Sequence, residues 1–253
     1  YDTRAEAAPA ARDYISGTFA KLVEKGKVGA EAAQRAVDNV EVANALPALS
    51  GCHLVIEAIV EDLEAKRGLF AQLEAIVSEA CILATNTSSL QVSSVACGCK
   101  HPERVAGYHF FNPVPLMKLV EVVRAKQTSP ATEEAVLELA KRMGKETIRV
   151  NDAPGFATSR LGVLLGLEAI RMLEAGVASA EDIDRAMESG YNHPMGPLRL
   201  TDLVGLDVRL SIAEHLFKEI GEQFRPPALL RTMVADGKLG KKTGQGFYSW
   251  PTG

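Results

Sequence analysis

The feature that most constrains this fold is a pair of almost uninterrupted apolar runs in the first half of the chain. Residues 53–59 form the first run and residues 81–85 form the second. A run that is apolar at nearly every position is typical of a strand buried on both faces. Residues 62–78, which lie between the two runs, carry apolar side chains at helical spacing. Strand, helix and strand in this order predict a parallel sheet with helices on both faces.

The same alternation continues as far as Pro154 and then stops. Further strands are predicted at residues 104–111, 119–123 and 147–150, and further helices at residues 9–25, 30–37, 90–96 and 129–144. Beyond Pro154 only helical patterns follow, at residues 156–175, 179–188, 205–220 and 227–236. We therefore predict an α/β domain over residues 1–153 and an all-α domain over residues 154–253.

Charge and composition exclude several classes of partner. The chain has 28 basic and 32 acidic residues, a formal net charge of −4, whereas nucleic-acid binding needs clustered positive charge. Nucleic acid is therefore not expected as a partner. The longest apolar stretches are short and carry charged residues, so a membrane is not expected either. Four cysteines are too few for a disulfide scaffold, and we expect a reducing, cytoplasmic location. The Cys97-Gly98-Cys99 pair has no second Cys/His cluster nearby, so no metal site is expected.

A candidate acid–base pair lies around a proline-containing turn. Pro113 and Pro115 predict a turn between two strands. If the turn centres on Pro115, His109 lies opposite Glu121. A carboxylate that accepts the ring N–H fixes the tautomer of a histidine and raises its basicity, as a general base requires. The alternative is a structural histidine beside a solvated glutamate.

Polar residues also follow the two buried runs. Ligands of open parallel sheets bind beyond the carboxyl ends of the strands, and Asn86-Thr87-Ser88-Ser89 follows residues 81–85 directly. These side chains could bind a ligand or cap a helix over residues 90–96, and the two interpretations are compatible. Glu57 lies within the first run, and Glu61 follows it, where it could face a ligand. The alternative for both glutamates is an ordinary carboxylate at a strand end or helix start.

Taken as an ordered series, the motifs resemble the L-3-hydroxyacyl-CoA dehydrogenase family, and within it the bacterial members specific for 3-hydroxybutyryl-CoA. The motifs are Asn86-Thr87-Ser88-Ser89-Leu90, His109-Phe110-Phe111-Asn112-Pro113-Val114-Pro115, Lys118-Leu119-Val120-Glu121, Asp152-Ala153-Pro154-Gly155-Phe156, Met195-Gly196-Pro197, Asp202-Leu203-Val204-Gly205-Leu206-Asp207, Gly240-Lys241-Lys242-Thr243-Gly244 and Gly246-Phe247-Tyr248. Each motif is weak alone, but together they cover almost the whole chain.

The resemblance implies a fold and a reaction. The fold is a Rossmann-type NAD-binding domain followed by a helical domain through which the chain forms a homodimer. The reaction is NAD-dependent oxidation of an (S)-3-hydroxyacyl-CoA, here 3-hydroxybutyryl-CoA, to the 3-oxoacyl-CoA. His109 would take the proton of the 3-hydroxyl group while Glu121 holds its ring. Ser88 would donate a hydrogen bond to the substrate oxygen, and Ser159 occupies a further catalytic position.

The resemblance also implies binding residues. The residues that would bind NAD are Asp2, Glu61, Lys66, Ser88, Asn112 and Lys242, and those that would face coenzyme A are Thr18 and Lys25. An acidic residue at the Asp2 position would hold the ribose hydroxyls of adenosine and repel a 2′-phosphate, which favours NAD over NADP.

The sequence departs from the family pattern at two points. Ser159 stands where the family often has asparagine, in the pattern Pro-Gly-Phe-x-x-Asn-Arg. No Gly-x-Gly-x-x-Gly occurs in the 253 residues, although that turn binds the pyrophosphate of dinucleotides. We therefore expect the first strand, glycine-rich turn and first helix, about 25–30 residues, to precede Tyr1 in a longer protein.

Two other functions remain open from the sequence. One is a non-catalytic dimer of the same fold that binds acyl-CoA. The other is a related sugar-acid dehydrogenase, whose substrate would lack coenzyme A. Turnover of (S)-3-hydroxybutyryl-CoA separates the enzyme from the first alternative, and the rate without the coenzyme A group separates it from the second.

Overall fold

A five-stranded sheet forms the centre of the first domain. The computed structural model describes residues 1–251 of the 253. The strands, in sheet order, are β1 (Leu54–Glu57), β2 (Ile82–Thr85), β3 (Val105–Phe110), β4 (Leu119–Arg124) and β5 (Glu146–Asn151). All five lie where the sequence patterns predict strands.

The sheet is mixed rather than parallel throughout. β1, β2 and β3 are parallel, as are β4 and β5, but β3 and β4 are antiparallel. The connection between β3 and β4, residues 111–118, is too short for a parallel crossover, which needs about a dozen residues or more. The expectation of a wholly parallel sheet is therefore wrong for β3 and β4. The predicted proline-containing turn between these two strands is confirmed.

Helices cover both faces of the sheet at β2, as predicted, but the edge strand β1 is not buried on both faces as expected, since Ile56 is 41% exposed. The helices of this domain are α1 (Ala7–Glu24), α2 (Ala30–Asp38), α3 (Leu63–Glu74), α4 (Val92–Ala96) and α5 (Pro130–Arg142). On one face Phe70 and Val95 belong to a core with Leu83 of β2. On the other face Val136 of α5 packs with the next residue of β2, Ala84. Adjacent strand residues thus point to opposite, equally buried faces.

The first two helices differ from the rest. No residue of α1 is buried, and α1 packs chiefly against α2. This helical pair is therefore held less firmly by the core than α3, α4 and α5 are.

Five helices make up the second domain. They are α6 (Thr158–Glu174), α7 (Ala180–Tyr191), α8 (Pro197–Val204), α9 (Leu206–Glu219) and α10 (Ala228–Ala235). The sequence patterns do not predict α8, which is short and meets α9 at Gly205. The φ angle of Gly205 is 102°, a backbone conformation that favours glycine and lets two helices join without a longer loop. No helix within residues 1–251 is long and apolar enough to cross a bilayer.

The buried Asp202 ties the C-terminal motif to this domain. Asp202 accepts hydrogen bonds from the backbone N–H groups of Phe247 and Tyr248, both at 2.9 Å, and from the Trp250 indole at 2.8 Å. A Cβ atom at Gly246 would lie 2.2 Å from an Asp202 carboxylate oxygen. Gly246 is therefore required for close packing.

Candidate active site

The register of β3 and β4 brings His109 and Glu121 together. The two residues are directly paired across the strands, and His109 Nδ1 lies 2.7 Å from Glu121 Oε2. Both side chains are buried, with exposed fractions of 5% and 0%. An ionised carboxylate only accepts hydrogen bonds, so Nδ1 carries the proton and Nε2 presents its lone pair. The predicted pairing of these two residues across the turn is therefore confirmed.

Residues at the start of α6 complete the surroundings of Glu121. Glu121 Oε1 accepts from the backbone N–H groups of Ala157 at 3.2 Å and Thr158 at 3.0 Å. The Thr158 hydroxyl donates to Oε2 at 2.9 Å. Burial of the carboxyl group, the largest influence, raises its pKa, but the hydrogen bonds from His109 and Thr158 outweigh it and lower the pKa of Glu121.

Ser88 lies on the other side of the His109 ring. Its hydroxyl is 3.1 Å from Nε2 and, in this tautomer, donates to that nitrogen. The loop after β2 that carries Ser88 is not the N-cap of α4. That helix begins at Val92, and Asp152 accepts from the N–H groups of Val92 and Ser93 at 2.9 and 2.7 Å. The predicted cap from residues 86–89 is therefore wrong for α4.

Glu61 organises the loop that carries Ser88. Its Oε1 accepts from the Thr87 hydroxyl at 2.5 Å and from the backbone N–H groups of Ser88 and Ser89 at 3.0 and 3.1 Å. Burial, the largest influence, raises the pKa of Glu61, but the hydrogen bond from Thr87 and the charge of Lys66 bring the pKa below its ordinary value. Glu61 is therefore ionised at neutral pH and fixes the loop through this anion.

The buried ion pair of Lys66 and Glu57 lies beside Glu61. Lys66 Nζ lies 2.7 Å from Glu57 and 3.3 Å from Glu61, and the Lys66 side chain is 1% exposed. Glu57 also accepts from the Thr85 hydroxyl at 2.7 Å. In this structure Lys66 contacts Glu61 rather than the open surface of the site. Its role in binding the cofactor stays a prediction.

The other predicted site residues make no hydrogen bond to His109 or Glu121 within residues 1–251. Asn112 is exposed in the turn after β3, Asp2 accepts from the Arg4 backbone at 2.8 Å, and Lys242 pairs with Asp207 at 2.5 Å. Thr18 donates to the Tyr14 carbonyl within α1 at 2.8 Å. Their roles, and that of the exposed Lys25 after α1, stay predictions.

Ser159 is half-buried in the first turn of α6, and within residues 1–251 its hydroxyl makes no hydrogen bond. The polar contact from this turn to Glu121 comes from Thr158, which the sequence analysis missed. Asn86, whose side chain accepts from the Phe110 N–H at 2.8 Å, was noted only as part of a motif. Neither contact has a local spacing signal, because each joins residues far apart in the chain.

The strand ends offer a site for a dinucleotide. Glu61, Ser88 and Asn112 follow the carboxyl ends of the parallel strands β1, β2 and β3, where dinucleotides bind in open α/β sheets. One side of Glu61 stays open, since its side chain is 39% exposed. These groups fit the polar face of a nicotinamide cofactor. A histidine base beside such an edge is typical of a nicotinamide-dependent alcohol dehydrogenase.

Comparison with known proteins identifies the family. The domain described as "3-hydroxyacyl-CoA dehydrogenase, NAD binding domain" matches residues 1–153, and the C-terminal domain of the same family matches residues 155–250. The chain belongs to the 3-hydroxyacyl-CoA dehydrogenase family. It is thus an NAD-dependent oxidoreductase of 3-hydroxyacyl-CoA substrates.

Individual relatives agree over nearly the whole chain. A probable 3-hydroxybutyryl-CoA dehydrogenase of Bacillus subtilis is 43% identical over 99% of this chain and 88% of its own length. A 3-hydroxyadipyl-CoA dehydrogenase of Escherichia coli is 42% identical over 99% of this chain and 53% of its own length. The crystal structure of (S)-3-hydroxybutyryl-CoA dehydrogenase PaaH1 from Ralstonia eutropha superposes with a TM-score of 0.94 at 38% identity, covering 99% and 89% of the two chains.

Proposed function

We propose that the substrate is a short (S)-3-hydroxyacyl-CoA, 3-hydroxybutyryl-CoA, and that His109 removes the proton of its 3-hydroxyl group. The observation that carries the role of His109 is the chain of contacts from Glu121 through His109 to Ser88, at 2.7 and 3.1 Å. The choice of a short acyl chain is supported by the relatives from B. subtilis and R. eutropha.

Each residue has its own part in moving the hydroxyl proton to His109. Glu121 accepts the Nδ1–H of His109, which leaves the lone pair of Nε2 free. When the 3-hydroxyl group of the substrate replaces the Ser88 hydroxyl beside Nε2, this nitrogen can accept the hydroxyl proton. Ser88 then donates to that oxygen as it becomes a carbonyl. Bound NAD supplies the acceptor for the hydride that leaves C3. In the reverse direction the protonated ring returns its proton to the forming alkoxide.

The cofactor and coenzyme A contacts extend this proposal. Asp2, Glu61, Lys66, Ser88, Asn112 and Lys242 are proposed as the NAD-binding set. Lys242 is exposed and pairs with Asp207, and its ammonium group is proposed to contact a phosphate of the cofactor. Thr18 and Lys25 of the α1 region are proposed to face coenzyme A, and the absence of buried residues in α1 leaves that helix accessible. Ser159 is proposed to contact the substrate at the start of α6.

We also propose a homodimer through the helical domain. Several large apolar side chains of α6, α8 and α9 are exposed, and we name this set the helical apolar patch: Leu161, Leu164, Leu200, Leu203, Val204 and Val208. Contiguous exposed apolar residues mark protein interfaces. Arg209 lies against Gly162 of α6, is only 8% exposed and, within residues 1–251, has no hydrogen-bond or ion-pair partner. A second copy would cover the patch and offer acceptors to this guanidinium.

A cytoplasmic location fits the state of the cysteines. Cys52, Cys81, Cys97 and Cys99 are all free thiols, and disulfides are rare in reducing compartments. Free thiols at all four positions support the proposed location.

The test of the proposed function is a substrate series with the full-length protein. NADH formation is measured from (S)-3-hydroxybutyryl-CoA, from 3-hydroxyadipyl-CoA and from free 3-hydroxybutyrate. We expect the highest kcat/KM with 3-hydroxybutyryl-CoA and a rate close to background without coenzyme A. A preference for 3-hydroxyadipyl-CoA would contradict the short-chain substrate, and equal turnover of the free acid would favour the sugar-acid class of dehydrogenase.

A further inference from the structure

We propose that Thr158 is a positioning residue of the active site, whose hydroxyl group holds Glu121 in the orientation that His109 requires. The inference rests on the proposed role of His109 as the base, and it assigns a function to a side chain at the start of the helical domain.

The geometry of Glu121 is the first argument. Its Oε2 accepts from both His109 Nδ1 at 2.7 Å and the Thr158 hydroxyl at 2.9 Å. Two donors on this oxygen restrict the orientation of the carboxylate, in addition to the two backbone N–H groups that donate to Oε1. Losing the Thr158 bond would leave that oxygen held by the histidine alone, and the imidazole plane would be less well defined.

The charge of Glu121 is the second argument. The side chain is 0% exposed, and within residues 1–251 no Lys or Arg pairs with it. A buried carboxylate without a cation depends on hydrogen bonds for its ionised form. Four donors provide them: the His109 ring, the Ala157 and Thr158 backbone N–H groups, and the Thr158 hydroxyl. Among these, only the Thr158 hydroxyl can be removed without changing the base itself or the backbone.

The place of Thr158 in the fold is the third argument. Thr158 is the first residue of α6, while Glu121 lies in the middle of β4. The neighbouring Ala157 provides no side-chain cap for this helix, so Glu121 accepts N–H groups that would otherwise be unpaired at its start. The carboxylate of the acid–base pair is thus held by both domains at once, and the docking of α6 is part of assembling the site.

Thr158 rather than Ser159 makes this contact, although the family pattern draws attention to residue 159. The Ser159 hydroxyl makes no hydrogen bond within residues 1–251, so the two neighbours have separable roles. Ser159 remains available to a bound substrate, while Thr158 is already engaged without one.

The experiment compares three variants of the full-length protein. Thr158→Val removes the hydroxyl at nearly constant volume, and Thr158→Ser keeps it. Thr201→Val is the matched control, because Thr201 is a buried threonine of α8 whose hydroxyl donates at 2.8 Å to the Pro197 carbonyl, away from the acid–base pair. For each variant we measure kcat and KM over pH, thermal stability, and the titration of Glu121 by carbon-13 NMR of labelled glutamate, assigned with Glu121→Gln.

We expect Thr158→Val to lower kcat about tenfold with little change in KM, and to raise the pKa of Glu121 in the NMR titration. Thr158→Ser should restore most of kcat and the original titration. Thr201→Val should lose stability without changing either readout.

Several results would overturn the proposal. The first is an NMR titration of Glu121 that is the same in Thr158→Val and the wild type. The second is a loss of kcat in Thr158→Ser equal to that in Thr158→Val. The third is a loss of kcat that is proportional to the loss of thermal stability in both Thr158→Val and Thr201→Val. Failure of the wild type to oxidise any hydroxyacyl-CoA would instead contradict the proposed function, while the NMR titration would still test Thr158.

Discussion

At the scale of single residues, the site depends on one buried carboxylate that, within residues 1–251, is kept ionised without a lysine or arginine partner. Glu121 is paired with His109 by the strand register and supplied with three further hydrogen bonds by α6. A histidine needs such a partner to keep one tautomer through a catalytic cycle. The remaining nitrogen then has a single task, the exchange of a proton with the substrate oxygen.

The lowered pKa of Glu121 predicts a pH dependence of stability. Its folded pKa lies below the ordinary value of 4.5, so ionisation stabilises the fold fully above that pH, and the contribution is lost as pH falls from 4.5 towards the folded pKa. We expect the wild type to exceed Glu121→Gln in unfolding free energy near neutral pH. The difference should shrink in urea titrations below pH 4.5, and a difference that grows there would contradict this account.

The acid–base pair could be predicted from the sequence, but its surroundings could not. His109 and Glu121 are separated by a short turn, so alternation along two strands is enough to place them face to face. The contacts of Thr158 with Glu121 and of Asp152 with the start of α4 depend on how distant segments pack. The pattern of apolar and polar residues near Thr158 does not predict these contacts.

At the scale of secondary-structure elements, the end of β1 and the start of α3 are joined by the buried pair of Glu57 and Lys66. Lys66→Met would leave Glu57, whose side chain is 0% exposed, without its cation. We expect a loss of about 3–5 kcal/mol in unfolding free energy.

The control for this prediction is the double variant Glu57→Gln with Lys66→Met, which should recover part of that loss because no buried charge is left unpaired. Urea denaturation of both variants measures the effect. Equal stability of the two variants would show that the unpaired charge is not the cause.

The elements also show where sequence patterns suffice. An apolar run predicts β2 because helices cover both faces of the sheet there, whereas β5 has no buried residue and is predicted from its β-branched residues. The short helix α8 was missed although α10, which also has 8 residues, was predicted, so length alone is not the reason. Its start at Pro197 and its end at Gly205 are recognisable only once the join to α9 is known.

At the scale of the whole molecule, the helical domain carries the surface that we propose for dimerisation. Leu161 is 69% exposed on α6 and belongs to the helical apolar patch. Leu161→Glu would place a charge in the proposed interface, where it would be desolvated. We expect sedimentation velocity to show a dimer for the wild type and a monomer for this variant.

Val177→Glu is the matched control. Val177 is 63% exposed after the end of α6 and lies outside the patch, so this variant should remain dimeric. A wild type that sediments as a monomer, or a Leu161→Glu variant that stays dimeric, would contradict the proposed interface.

The most direct test of the account is the rate of NADH formation from (S)-3-hydroxybutyryl-CoA by the wild type and by His109→Gln. The glutamine keeps a polar side chain beside Glu121 but cannot accept the hydroxyl proton. We expect kcat to fall about 10²- to 10⁴-fold while circular dichroism and the KM for NAD stay close to wild type. Retention of near wild-type kcat by a folded His109→Gln would contradict the assignment of His109 as the base.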